Sequence, residues 1–112
     1  MKAFNPIKNG ISLLLTVLLL VDGCNSHAGY TPQNHVVEIK DMKFQPAELK
    51  LNQGDIVTWI NRDIVSHDVT EENKTWASPA LSTDATWKKV ITQSGTYYCS
   101  IHVMMKGTLT VK

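Results

Sequence analysis

The chain has 112 residues, too few for more than one domain, and residues 29–112 carry nine basic and nine acidic side chains. That balance, with no basic run, excludes nucleic acid as a partner. A domain of 84 residues buries only a little over half of its unfolded surface, so a metal or a disulfide is expected to support it.

The first element is a leader. Lys2 and Lys8 precede an apolar run, "ISLLLTVLLLV", at residues 11–21. These eleven residues are too short for a membrane-spanning helix, which needs about 20. A basic start, a short apolar centre and small residues afterwards form the pattern of a secretory signal, so residues 1–28 are assigned to it and residues 29–112 to the domain. Two endings fit. Ser26 and Ala28 ahead of Gly29 suit a signal peptidase. Alternatively "VDGC" resembles a lipobox ending at Cys24, with Asp22 standing where a small neutral residue is usual. In that second form a lipid on Cys24 would be the only contact with a membrane. Both forms place the domain in the periplasm or the bacterial envelope. Cys24 and Cys99 are the only cysteines. With Cys24 removed or acylated, Cys99 is a single thiol in an oxidising compartment, where it survives if buried or metal-bound.

The domain reads as all β. "HVVEIKDMKF" (residues 35–44) alternates at Val37 and Ile39 and resumes at Met42 and Phe44, which predicts a strand with a bulge or bend between them. "ELKL" alternates again before the turn cluster "NQGD". "IVTWIN" is rich in β-branched and aromatic residues and reads as a central strand. "SHDVTEE" holds a short strand. The polar stretch that follows has no convincing helical period, although residues 74–81 have room for a turn or two. "WKKVI", "GTYYCSI" and "GTLTVK" supply the last strands, with Gly95 and Gly107 as punctuation. Short strands at this spacing make a β-sandwich. Trp59, Trp76, Trp87 and the Tyr97–Tyr98 pair are read as core or sheet surface.

"YYCSIHVMMKG" concentrates metal-binding chemistry. Cys99, His102 and Met105 lie three apart, on the loop that joins the last two strands. His67, between two strands, is the best fourth candidate; His27 and His35 lie at the N-terminal edge and are poorer ones. Zinc sites favour more thiolates or carboxylates. Two imidazoles and a thiolate with a weak thioether instead describe mononuclear blue copper. Met104 should point away from Met105 on an extended segment, towards the surface.

"CSIHVMMKG" resembles the ligand loop of the cupredoxins, the plastocyanin and azurin superfamily, with the Cys-x₂-His-x₂-Met spacing of amicyanins. "FQPAELKLNQGDIVTWINRDIVSHDV" is similar to the family's N-terminal half, with its Phe-x-Pro, Gly-Asp turn, Val-Thr-Trp strand and first ligand histidine. The resemblance implies a Greek-key β-sandwich of about seven to eight strands. It also implies one type 1 copper ion held by His67, Cys99, His102 and Met105. Two positions depart from the common pattern. Ile101 stands where proline often precedes the second histidine, and Asp68 where asparagine often follows the first. Asp68 is expected to accept hydrogen bonds from the Ser100 hydroxyl or loop amides.

The same resemblance makes His102 the electron exit, inside an apolar patch of Ile64, Val65, Ile101, Val103 and Met104. Such a patch suits brief docking with a redox donor and acceptor. The expected function is single-electron transfer by a monomer. The alternatives are a copper-binding module for sequestration or delivery, and a metal-free interaction domain. An enzyme is not expected. Multicopper oxidases and copper nitrite reductases need further domains and histidines, and a binuclear centre needs a second loop cysteine.

Overall fold

The computed structural model describes residues 29–112; the leader assignment, Cys24 and His27 lie outside the described residues. The strands are β1 (Asn34–Lys40), β2 (Lys43–Gln45), β3 (Glu48–Leu51), β4 (Ile56–Asn61), β5 (Thr70–Glu71), β6 (Thr86–Val90), β7 (Gly95–Tyr98) and β8 (Lys106–Val111). They form two four-stranded sheets, ordered β2-β1-β4-β6 and β3-β8-β7-β5. This is the two-sheet β-sandwich that the resemblance implied, with eight strands.

Alternation decides which side chains face inward. Val37 and Ile39 of β1 are fully buried, while Val36 is exposed and Glu38, between the two buried residues, is half-buried. β1 runs parallel to β4, with Val37 opposite Trp59, and β4 runs antiparallel to β6, with Trp59 opposite Trp87. The facing sheet contributes Leu51, Tyr97 and Leu109 to the same core. Trp59 is the hub, with the Tyr97 ring edge-on at 5.4 Å and Trp87 at 5.6 Å. Each such buried ring stabilises the fold by about 1.5–3 kcal/mol through area alone.

Two segments differ from the expectation. The bend after Ile39 is not a bulge but a two-residue hairpin turn, because Lys40 pairs with Lys43. Asp41 and Met42 both have positive φ (54° and 59°), as the turn that matches the strands' right-handed twist requires. The Asp63 carboxylate accepts both their backbone N–H groups (2.8 and 3.0 Å), which offsets the cost of that conformation in residues other than glycine. Residues 74–81 hold no helical turn. Lys74 closes a turn onto the Glu71 carbonyl, and from Trp76 the chain runs extended alongside residues 67–71, with Ser78 N–H on the Val69 carbonyl (2.8 Å) and His67 and Leu81 exchanging both backbone bonds. Pro79 would break a helix there, and the extended path buries Leu81.

This topology brings two loops to one end of the sandwich. The chain after β4 belongs to the first sheet and carries His67; the β7–β8 connection belongs to the second and carries Cys99, His102 and Met105. The site is therefore suspended between the sheets.

Candidate metal centre

The β7–β8 connection is a chain of tight turns. His102 N–H donates to the Cys99 carbonyl (3.2 Å), Met105 N–H to the His102 carbonyl (3.0 Å), and Cys99 N–H to the Met105 carbonyl (3.1 Å). The three-residue spacing seen in the sequence is thus the spacing of the turns. Cys99 is fully buried, Met105 is 5% exposed, and His102 is half-buried. Met104 points outward and is 89% exposed, so adjacent methionines take opposite directions.

His67 is brought to this loop from the other sheet. Its Nδ1 lies 3.7 Å from Cys99 Sγ, and His102 Nδ1 lies 3.8 Å from the same sulfur. The two imidazole rings sit edge to face, 4.8 Å between centroids. The three ligand atoms all lie within 4.8 Å of one another. Two imidazole nitrogens and one buried thiol sulfur converge on a single point, which is the donor set of a metal site. They fit a borderline-soft metal ion. The Met105 side chain is buried in the hydrophobic core, in the same cluster as Cys99. His35 is excluded: it bonds Asp55 (2.8 Å) near the start of β1, at the other end of the sandwich.

Residues that sequence reasoning did not single out hold this arrangement. Asp63, four residues before His67, accepts from His67 Nε2 at 2.8 Å. The bond directs the Nε2 proton to the carboxylate and leaves Nδ1 with its lone pair towards the sulfur. Partial burial works to raise the Asp63 carboxyl, but the Met42 N–H, the His67 ring and the Asp41 N–H outweigh it and hold it below the ordinary carboxylate range. One side chain thereby ties the β1–β2 turn to the buried histidine. An acidic residue one helical-turn length before a candidate ligand was the available signal. Asn61 is fully buried and its amide donates to the carbonyls of Val65 and Leu81, both at 2.8 Å, so it shapes the loop from within. Asp68 meets the expectation placed on it, accepting from Ser100 N–H (2.7 Å) and from the Ser100 hydroxyl. Its own N–H donates to Cys99 Sγ at 3.4 Å.

The five apolar residues expected around the exit lie on these two loops. Ile64 is 93% and Val103 60% exposed, and Val65, Ile101 and Met104 are exposed as well.

A two-sheet β-sandwich that suspends a His–Cys–His cluster between its sheets defines a mononuclear copper protein, with a type 1 site. Residues 32–112 match the family described as copper binding proteins, plastocyanin/azurin family, and the chain belongs to it. It is 32% identical over 84 residues to amicyanin of Paracoccus denitrificans, covering 69% of this chain and 64% of that protein. It therefore spans a little under two thirds of that relative's length. Amicyanin-alpha of Methylorubrum extorquens is 32% identical over 83 residues, with 68% and 70% covered. The structure of a methionine-to-alanine variant of amicyanin in its Cu(I) form superposes with a TM-score of 0.65 at 30% identity, covering 76% of this chain and 88% of that one. A copper-containing nitrite reductase from Thermus scotoductus shares the fold, with a TM-score of 0.65 at 24% identity, over 74% of this chain and 23% of that one.

Proposed function

We propose that this protein is an exported blue copper carrier that passes single electrons between redox partners, with His67 Nδ1, Cys99 Sγ, His102 Nδ1 and Met105 Sδ as the ligands. The convergence of the first three atoms within 4.8 Å carries the reading. Bound there, copper supplies a one-electron couple. The chain supplies rigidity. The turns from Cys99 to Met105, the His67–Leu81 backbone pair and the Asp63 bond hold the donors in place whatever the charge of the metal. A frame that cannot relax around either oxidation state keeps the reorganisation cost of transfer low. Asp68 N–H donates to the sulfur and supports it as the thiolate.

Electrons pass by His102, the half-buried ligand, within the surface formed by Ile64, Val65, Ile101, Val103 and Met104. An apolar patch desolvates readily and releases its partner quickly. The reading includes no catalysis by the protein itself. It also includes export to the periplasm or envelope as a monomer, with Cys24 as the site of lipidation if the leader ends there. β1 enters the sandwich beside the start of β4, and the ligand loops follow the far end of β4, so a tether at the N-terminus would leave the copper end free.

Loading the purified domain with Cu(II) tests the reading. An intense blue thiolate-to-copper band is expected, absent in Cys99→Ser. A colourless copper complex of the unmodified protein would sink the electron-carrier reading in favour of sequestration or delivery.

A further inference from the structure

Asp68 is more than a tie between loops. Its side chain is buried, with the residue 8% exposed, and its backbone N–H is in contact with the Cys99 sulfur. Its carboxylate oxygens receive Ser100 N–H (2.7 Å), the Thr70 hydroxyl (3.1 Å) and the Ser100 hydroxyl. All three donors are neutral. Among the described residues, the ion pair made by a Lys or Arg is Arg62–Asp84 (2.8 Å), between two side chains that are 44% and 68% exposed. No cation from β5, the 62–69 loop or the 99–105 loop is paired with Asp68. The Asp68 carboxyl thus sits in the interior, one residue from His67 and hydrogen-bonded to the residue after Cys99, with no cationic partner among the described residues.

We propose that Asp68 sets the preference of the site for divalent over monovalent copper. The two oxidation states differ by one unit of charge. As the carboxylate, Asp68 is a fixed anion beside the His67 ligand in the chain and attracts the divalent ion more, by an amount that burial preserves because solvent does not screen it. The three hydrogen bonds spread the charge of the carboxylate without cancelling it. This chain consequently holds Cu(II) tighter, relative to Cu(I), than it would with a neutral side chain of the same shape. Its redox partners must match a couple displaced towards the oxidised form. The inference rests on the proposed placement of copper between His67, Cys99 and His102.

Shape and charge separate experimentally. In Asp68→Asn the amide oxygen still accepts from Ser100 N–H, and the Ser100 hydroxyl can turn to accept from the amide nitrogen. In Asp68→Ala both the charge and the tie are lost. The measurement is the ratio of Cu(II) to Cu(I) affinity, by competition with chelators of known strength, for the parent and both variants. Hydrogen exchange of the Ser100 amide in the copper-free domain reports the tie. The expectation for Asp68→Asn is a fall in the ratio of about tenfold or more, equivalent to an upward displacement of the one-electron potential by about 59 mV, with Ser100 protection retained. An unchanged ratio in Asp68→Asn overturns the proposal. So does a ratio that moves only in Asp68→Ala together with loss of Ser100 protection, which would assign the effect to the loop tie. The measurement needs bound copper but neither a blue band nor electron exchange. A colourless site would count against the carrier function and leave the Asp68 result readable.

Discussion

Gly107 allows the sharpest quantitative test of how the core supports the ligand loop. It pairs with Tyr97 across β7 and β8, two residues from Met105 on one strand and from Cys99 on the other. A Cβ at Gly107 would lie 2.2 Å from Tyr97 Cζ, 2.3 Å from the hydroxyl oxygen and 2.7 Å from Cε1. Ordinary carbon contacts need about 3.5 Å or more, so in Gly107→Ala the ring or the strand must retreat by more than about 1 Å. The ring has nowhere to go. It is 1% exposed, with Phe44 edge-on at 4.7 Å and Trp59 at 5.4 Å. The same burial pushes its hydroxyl pKa up to about 12, so ionisation offers no escape at any ordinary pH. Overpacking of this kind costs about 1–3 kcal/mol, and these distances place it at the upper end. The lower entropy of the unfolded alanine chain returns about 0.4–1 kcal/mol. A net loss of about 2 kcal/mol is expected, against a total stability of about 4–13 kcal/mol for a domain of this size. In urea unfolding of the copper-free domain the midpoint should fall by about 1 M. Copper affinity should fall with it, because the displaced strand begins directly after the ligand loop. Tyr97→Leu removes the obstructing atoms, so in that background the alanine should cost much less. A loss below about 0.5 kcal/mol, or an equal cost in both backgrounds, would refute the reasoning.

Met105→Leu should raise the reduction potential, since a weak donor that favours Cu(II) is lost, while Met104→Leu should leave it nearly unchanged; the reverse order by voltammetry would place the axial ligand one residue earlier. Val103→Lys should slow electron self-exchange strongly through like-charge repulsion between two docking faces, with the blue spectrum intact. Unchanged self-exchange would show that electrons leave elsewhere. Asp63→Ala should weaken copper binding about 10–100-fold by freeing the His67 ring and loosening the Asp41–Met42 turn, and equilibrium competition assays would expose an unchanged affinity. The Asp55 carboxylate contributes to acid stability. Burial opposes its charge, but the Tyr30 hydroxyl, the Gln33 N–H, the His35 ring and the Asn52 N–H outweigh burial and hold its pKa far below the usual range. A group depressed on folding contributes stability that is complete above its unfolded value, about 4, and is lost as pH falls towards the folded value. Asp55→Asn should therefore flatten the fall of Tm with pH below about 4, and parallel Tm curves for the two proteins would contradict this.

The ligand loop and the strand pattern were legible in the chain because both are local. The Cys99, His102 and Met105 spacing maps directly onto successive three-residue turns, and alternation at Val37 and Ile39 marks the face of β1 that buries. Even the opposite directions of Met104 and Met105 follow from extended geometry. Asp68 could be assigned its role because it adjoins a candidate ligand in sequence.

Only the tertiary structure decided what approaches these groups from a distance along the chain. Nothing in "KDMK" distinguishes a bulged strand from a hairpin turn; the carboxylate of Asp63, more than twenty positions on, accepts both turn amides and settles it. The same carboxylate orients His67, a contact that the four-residue spacing permits and only the path of the loop makes. Residues 74–81 carry little periodicity of either kind, and their extended path comes from pairing with the backbone at His67 and Val69. Periodicity encodes which face of an element buries, since that depends on each residue and its near neighbours. Which loop amides meet which carboxylate depends on how two sheets stack and where their connections cross, and no single segment records that.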